Sequence, residues 1–485
     1  VNGLLALAVL AAPADTLVVG TLADPVSLDP HRATDLVSSA VIANVCETLV
    51  RQVSGARLEA ELATTWASLD GRTWTFTLRP GVRFHDGAPF DADAVVANVE
   101  ALRAEQGFPG RAERAGPHVV TIALDRPNTA LLATLSQASY SMQSPAALGP
   151  GHAARPVGTG PFRFASSRPG RVELEAHEGY WRGAPRLARV VFQRYPDEPT
   201  LAEALLAGDL DVTADLSQAR VAAVRGSPNV VLDSRTGLNI VFLSLNNSRS
   251  PFSDVRVRQA LARAIDRDEL VARILESHGL PARNPLPPSL FGYATRTKEL
   301  VLDRPAARRL LAEAGHPDGF EATLLTVAAP RPYMPSPLRL AEHIRGDLAQ
   351  LGIRLTPVQA GSWADYIGRG TRGEYDAMVL GWQADTTDPN DFLSALLASS
   401  AIGATNRSRY DSPLMDALLK RGRMLGDAQE RAAVYREAQE LFQKHMPWVP
   451  LYHVSVFTAH RKNVRDLVAG PTGTLRYDRA WKAAG

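Results

Sequence analysis

Residues 66–100 read WASLDGRTWTFTLRPGVRFHDGAPFDADAVVANVE, and the way this stretch switches period decides the fold class. Thr73, Thr75 and Thr77 alternate with Trp74, Phe76 and Leu78, a period of two that gives a strand one apolar face. Asp86-Gly87 supplies a turn. Asp91 or Asp93 can then accept from the free N–H groups at the start of a helix, and Gly107 can end it. A half-buried strand, a turn and a capped helix within so short a span point to an α/β chain.

The alternation continues on both sides. LVVGTL, VVTIAL, RVELEAH and RVVFQRY read as strands, and EPTLAEALLAGDLDV as a helix stopped by Gly208 before another short strand. GLNIVFLSLNN is a strand near the middle of the chain, after which the pattern restarts. PFSDVRVRQALARAIDRDELVARIL and RPAARRLLAEAG are amphipathic helices, and FEATLLTVAA is a strand. Ser336-Pro337 offers an N-cap and a first-turn proline to the helix PLRLAEHIRGDLAQLG. Strand IRLTPVQ, a short helix around Trp363 to Gly368 and strand YDAMVLGW follow. A long helix opening with Asp427 and Glu430, spaced as a capping box, leads to the long strand VPLYHVSVFTAH. Two α/β halves predict two lobes, with the strands near residues 240 and 455 as the crossings between them.

Composition narrows the function classes. Of 485 residues, 45% are hydrophobic and 21% charged, as in an ordinary globular protein. The formal charge is 53 − 51 = +2 with no clustered basic run, which argues against nucleic acid or anionic membrane as the main partner. Leu4 to Ala12 form a short apolar run followed by Ala12-Pro13-Ala14, which reads as a secretory signal cut after Ala14, although no Lys or Arg precedes it. The run is too short to span a bilayer. The single Cys46 precludes an internal disulfide and reads as buried and inert. No cysteine follows the signal, so no lipid anchor is expected, and the exported compartment is expected to be a periplasm.

No nucleophile elbow, zinc-protease motif, P-loop or Cys-rich zinc site is present, and the histidines show no i, i+4 pairing. An enzyme is therefore not expected; an exported hydrolase is the disfavoured alternative of a different class, and a chemoreceptor partner another. No cofactor or metal is expected. The stretch 66–100 is similar to the signature region of family 5 extracytoplasmic solute-binding proteins, the peptide and nickel receptors of ABC importers. The resemblance continues, in the family's order, through LDPHRA, GTGPFRF, LLAGDLDV, LNNSRSPFSDVRVRQALARAIDRDEL and NRSRYDSPLMDALL, so that it covers essentially the whole mature chain.

The resemblance implies a two-lobed α/β periplasmic-binding-protein fold of the large type, a monomer. The first lobe would combine residues 15–44, 154–236 and 460–485, with an inserted subdomain at 45–153; the second would fill 237–459. It also implies capture of a small solute between lobes, around two crossing strands, and delivery to a membrane permease driven by an ATPase. GWQADTTDPNDF (381–392) looks like the loop that offers a carboxylate to a ligand's α-ammonium group, which puts that role on Asp385, with Trp382 beside it. RPYMPSPLRLAEHI looks like the segment whose arginine holds a ligand's C-terminal carboxylate: here Arg331, with Tyr333 beside it. Charge chemistry agrees. Enclosing a zwitterionic peptide buries two ions, and each needs an opposite charge. Arg presents a planar fork to a carboxylate, and Asp is a compact acceptor for an ammonium. An extended dipeptide is about 7 Å long, so such a pair would act as a ruler. A dipeptide or short peptide is the expected cargo; glutathione, a nickel chelate, haem or an opine on the same fold is the alternative.

Overall fold

A computed structural model describes residues 15–53, 57–149, 155–296, 300–384, 386–470 and 472–483. The expected signal segment, residues 1–14, lies outside the described residues, and so does Asp385. The fold is α/β, as the period switching implies. The chain divides into two compact units: residues up to 127, 131–235 and from 456 onward form the first, and residues 128–130 and 236–455 the second.

In the first unit, strand Thr16–Thr21 lies parallel to both Arg189–Arg194 and Val212–Thr213. Strands Arg171–Ala176 and Phe162–Arg168 extend this sheet antiparallel on one side, and Ala459 and His460 close it on the other. A separate four-stranded antiparallel sheet contains Thr73–Leu78, whose burial alternates residue by residue as the Thr/apolar pattern requires. Its apolar face packs around Trp74, Phe76, Phe84, Phe90 and Val95. The following helix runs Ala92–Gln106. Asp91 is the cap, accepting from the Ala94 N–H at 3.0 Å, while Asp93 pairs with Arg114 at 2.8 Å; Gly107 ends the helix at φ 66°. Gly158 and Gly160 let the chain press against another backbone: a Cβ at Gly158 would sit 2.1 Å from the Val45 carbonyl oxygen. Cys46 is buried, and burial pushes its thiol pKa up, consistent with an inert thiol.

In the second unit the sheet order is Arg354–Gln359, Glu321–Thr326, Ala377–Gln383, Asn239–Leu245 and the first part of the long strand Trp448–Arg461. Glu321–Thr326 is parallel to both of its neighbours; Ala377–Gln383 is antiparallel to Asn239–Leu245. Every residue of Asn239–Leu245 is buried, as a strand covered on both faces must be.

Two local expectations differ from the structure. The run 251–275 forms two helices, Val255–Ala264 and Arg267–Ile274, because Asp266 caps the second by accepting from the Glu269 N–H at 2.9 Å. Ser336 precedes helix Pro337–Ala349 but makes no side-chain capping bond. On helix Val255–Ala264, Arg256 pairs with Asp254 at 2.6 Å. Arg258 instead donates to the carbonyls of Phe252, Ser253, His445 and Met446, tying down the left-handed C-cap at Met446. Among the described residues, no helix is long and apolar enough to cross a membrane.

Candidate functional site

The candidate residues sit where three neighbouring parallel strands of the second unit end. Glu321–Thr326 leads to Arg331 and Tyr333, Arg354–Gln359 leads to Trp363, and Ala377–Gln383 carries Trp382 and runs on toward 385. Loops at the carboxyl ends of parallel strands are where open α/β sheets gather ligand-binding groups.

Arg331-Pro332-Tyr333-Met334 closes on itself: the Arg331 N–H donates to the Met334 carbonyl at 3.0 Å and the Met334 N–H donates back at 2.9 Å. That turn places the Arg331 guanidinium 3.8 Å from the centroid of the Trp363 ring, a cation–π stack. Helix Trp363–Arg372 holds the indole because Ser362 caps it, accepting from the Asp365 N–H at 3.1 Å. The buried Arg331 Nε has no hydrogen-bond partner among the described residues. Among the described residues no carboxylate lies within 4.0 Å of this guanidinium.

Tyr333 lies directly on Gly381: a Cβ at that glycine would come within 2.4 Å of the tyrosine ring. The contact joins the arginine turn to the strand bearing Trp382. Trp382 is half-buried against the core, and its buried Nε1 has no partner among the described residues. Burial raises the Tyr333 hydroxyl pKa, while the positive charges of Arg331 and Arg407 act in the opposite direction.

The sequence therefore brings Arg331, Tyr333 and Trp382 to one end of one sheet. Asp385 is outside the described residues, but both its flanks are anchored. The Ala384 N–H donates to Leu238 O at 2.9 Å. On the other side Asp388 caps helix Pro389–Leu397 and forms a buried ion pair with Arg431 at 2.8 Å. The second acid of the motif is thus structural. Two residues of the cluster went unread in the sequence. Trp363 reads only as the start of a short helix, and Arg407 stands beside Arg409 in the polar stretch NRSRYD, which carries no period that would mark either.

Two other features belong to the same unit. An open cavity of about 660 Å³ is lined by Arg258, Arg409, Tyr410, Asp411, Lys444 and His445, among others, and Arg331, Tyr333 and Trp382 are not part of its lining. Glu269, His343 and Asp347 bring ligand atoms within 4.8 Å of one another. Asp347, however, already accepts from Arg304 at 2.8 Å and from the Asp266 N–H at 2.9 Å, and Glu269 pairs with Arg273 at 2.7 Å. With two guanidinium groups on its carboxylates, this set is an ion-pair cluster and a poor cation site.

Comparison with known proteins gives a consistent picture. Residues 57–404 match the model of "Bacterial extracellular solute-binding proteins, family 5 Middle". The chain is 34% identical over 456 residues to Heme-binding protein A of Haemophilus influenzae, covering 86% of this chain and 82% of that one. It is 30% identical over 456 residues to Di/tripeptide-binding protein 1 of Pseudomonas aeruginosa, covering 86% and 85%. The solved structure of HbpA2 from Haemophilus parasuis superposes with a TM-score of 0.92 at 30% identity, covering 97% of this chain and all of that one. The co-linear motifs, the α/β architecture and these matches agree: this chain belongs to the family 5 bacterial extracellular solute-binding proteins, the non-enzymatic receptors of ABC importers.

Proposed function

We propose that this receptor captures dipeptides or similarly short peptides, with Arg331 taking the C-terminal carboxylate and Asp385 the α-ammonium group. Trp382 and Tyr333 would flank the ligand. The observation that carries the reading is the Arg331 guanidinium, stacked 3.8 Å from Trp363 with its Nε unpartnered among the described residues. Arg331 is half-buried, and a ligand carboxylate would supply the counter-charge that its guanidinium lacks among the described residues. The di/tripeptide-binding relative supports the cargo class. The chain would act as a monomer in the periplasm after removal of residues 1–14, and pass its cargo to an inner-membrane permease and its ATPase.

Calorimetry with a panel of dipeptides and their N-acetylated and C-amidated forms tests this. Free dipeptides are expected to bind, and blocking either terminus to weaken binding by about tenfold or more, since each block removes one charge-assisted contact. Asp385→Ala and Arg331→Ala are each expected to lower affinity by about 2–5 kcal/mol. Dipeptide affinity untouched by Asp385→Ala would overturn the assignment. Haem is the second reading, favoured by the 34% identity to Heme-binding protein A. A saturable Soret-band titration with no heat from any peptide would move the assignment there.

A further inference from the structure

Arg407 lies in the loop Thr405–Arg409, far in sequence from Arg331, yet both positive charges act on the same Tyr333 hydroxyl. The loop is pinned from behind: the Tyr375 hydroxyl donates to the Arg407 carbonyl, and Asn406 Nδ2 donates to Ala398 O and Tyr410 O at 2.9 and 2.8 Å. The Arg407 side chain crosses the Trp363–Arg372 helix at Gly370, where a Cβ would meet its Cδ at 2.9 Å. That is the helix whose first residue carries the Arg331 guanidinium. Trp363 and Gly370 are seven residues apart, two turns along one helix face. Both arginines are thus laid over one face of one helix, with Tyr333 and Tyr366 within electrostatic reach of Arg407.

Neither guanidinium has a carboxylate within 4.0 Å among the described residues, whereas Arg304, Arg354, Arg421 and Arg431 of the same unit all do. The Nε of each is buried and unpartnered among the described residues. Two half-buried guanidinium groups over one helix, neither with a carboxylate among the described residues, are one more cation than a single ligand carboxylate would balance. We propose that Arg407 and Arg331 form a two-cation anion site, and that the receptor selects short peptides whose C-terminal residue is itself acidic, a dicarboxylate end with one acid group for each guanidinium. This rests on the short-peptide reading above. Arg331 would hold the main-chain carboxylate, and Arg407 the side-chain carboxylate of a C-terminal Asp or Glu.

Calorimetry with Ala-Glu, its neutral isostere Ala-Gln, and Ala-Ala separates the possibilities without any variant. The wild-type chain is expected to bind Ala-Glu about tenfold or more tighter than Ala-Gln, the ordinary worth of one charge-assisted contact. Arg407→Gln should remove that preference, and Arg407→Lys should restore part of it. Arg331→Gln should weaken all three peptides. Equal wild-type affinities for Ala-Glu and Ala-Gln overturn the two-cation site and leave the peptide reading standing. Heat from none of the three overturns both.

Discussion

Gly381 shows how much of the site depends on a missing side chain. The Tyr333 ring occupies the space a Cβ would fill, at 2.4 Å, and Tyr333 shares a tight turn with Arg331. Gly381→Ala must push the ring away, so the arginine turn should move with it. The expected stability loss is about 1–3 kcal/mol, the usual cost of overpacking, and peptide affinity should fall by about tenfold or more; urea titration and calorimetry measure the two separately. Asp388 is the contrasting case. It lies in the same motif as the proposed ligand acid, but Arg431 and the cap of helix Pro389–Leu397 already use it. Asp388→Ala leaves Arg431 buried without a counter-charge and should cost about 3–5 kcal/mol of unfolding free energy, read from the denaturation midpoint. In the string DTTDP the proline after Asp388 marks that acid as a helix cap, but its ion-pair partner is 43 positions away and leaves no trace there.

At the scale of elements, the long strand Trp448–Arg461 carries a titrating group in a fully buried position. His453 bonds through Nδ1 to the Asn239 carbonyl at 2.7 Å, and its Nε2 has no partner among the described residues. Burial lowers its pKa from 6.5 to about 4, the hydrogen bond opposing only in part. The folded state therefore keeps the ring neutral where the unfolded chain would protonate it. Stability from this group is fully present above pH 6.5, falls as pH drops from about 6.5 to 4, and levels off below the folded pKa. His453→Gln should flatten the pH dependence of urea unfolding in that window, by about 3 kcal/mol across it. The elements themselves were legible in advance. Thr73–Leu78, Ala92–Gln106 and Asn239–Leu245 follow from period and caps. The division of 251–275 into two helices was missed because its amphipathic period runs on across Asp266, which caps a new helix.

At the scale of the whole molecule, the second unit joins its loops through strands, while the first is closed by the chain's last segment. Arg476 reaches Glu61 at 2.7 Å and lies 3.9 Å from Glu47, both fully buried. Glu47 also accepts from Thr159, Tyr180 and Trp181, each at 2.8 Å, so one carboxylate gathers three other segments of the first unit. Arg476→Met should leave Glu61 without its ion-pair partner and destabilise that unit by about 3–5 kcal/mol. Hydrogen exchange should show the protection loss in residues 57–127 and 155–235 and leave Asn239–Leu245 unchanged; loss in both units would contradict the independence of their cores.

The sequence by itself determined the α/β class, the positions of most strands and helices, and the family, because period, caps and co-linear motifs are local properties of the chain. It also pointed to Arg331, Tyr333 and Trp382, through the motifs that contain them. Only the tertiary structure decided that Arg331 stacks on Trp363, that Tyr333 fills the place beside Gly381, and that Arg407 joins the same cluster. Those residues are separated by tens of positions and meet only because three parallel strands end side by side. Strand pairing is a long-range choice, and no single segment of the chain carries it.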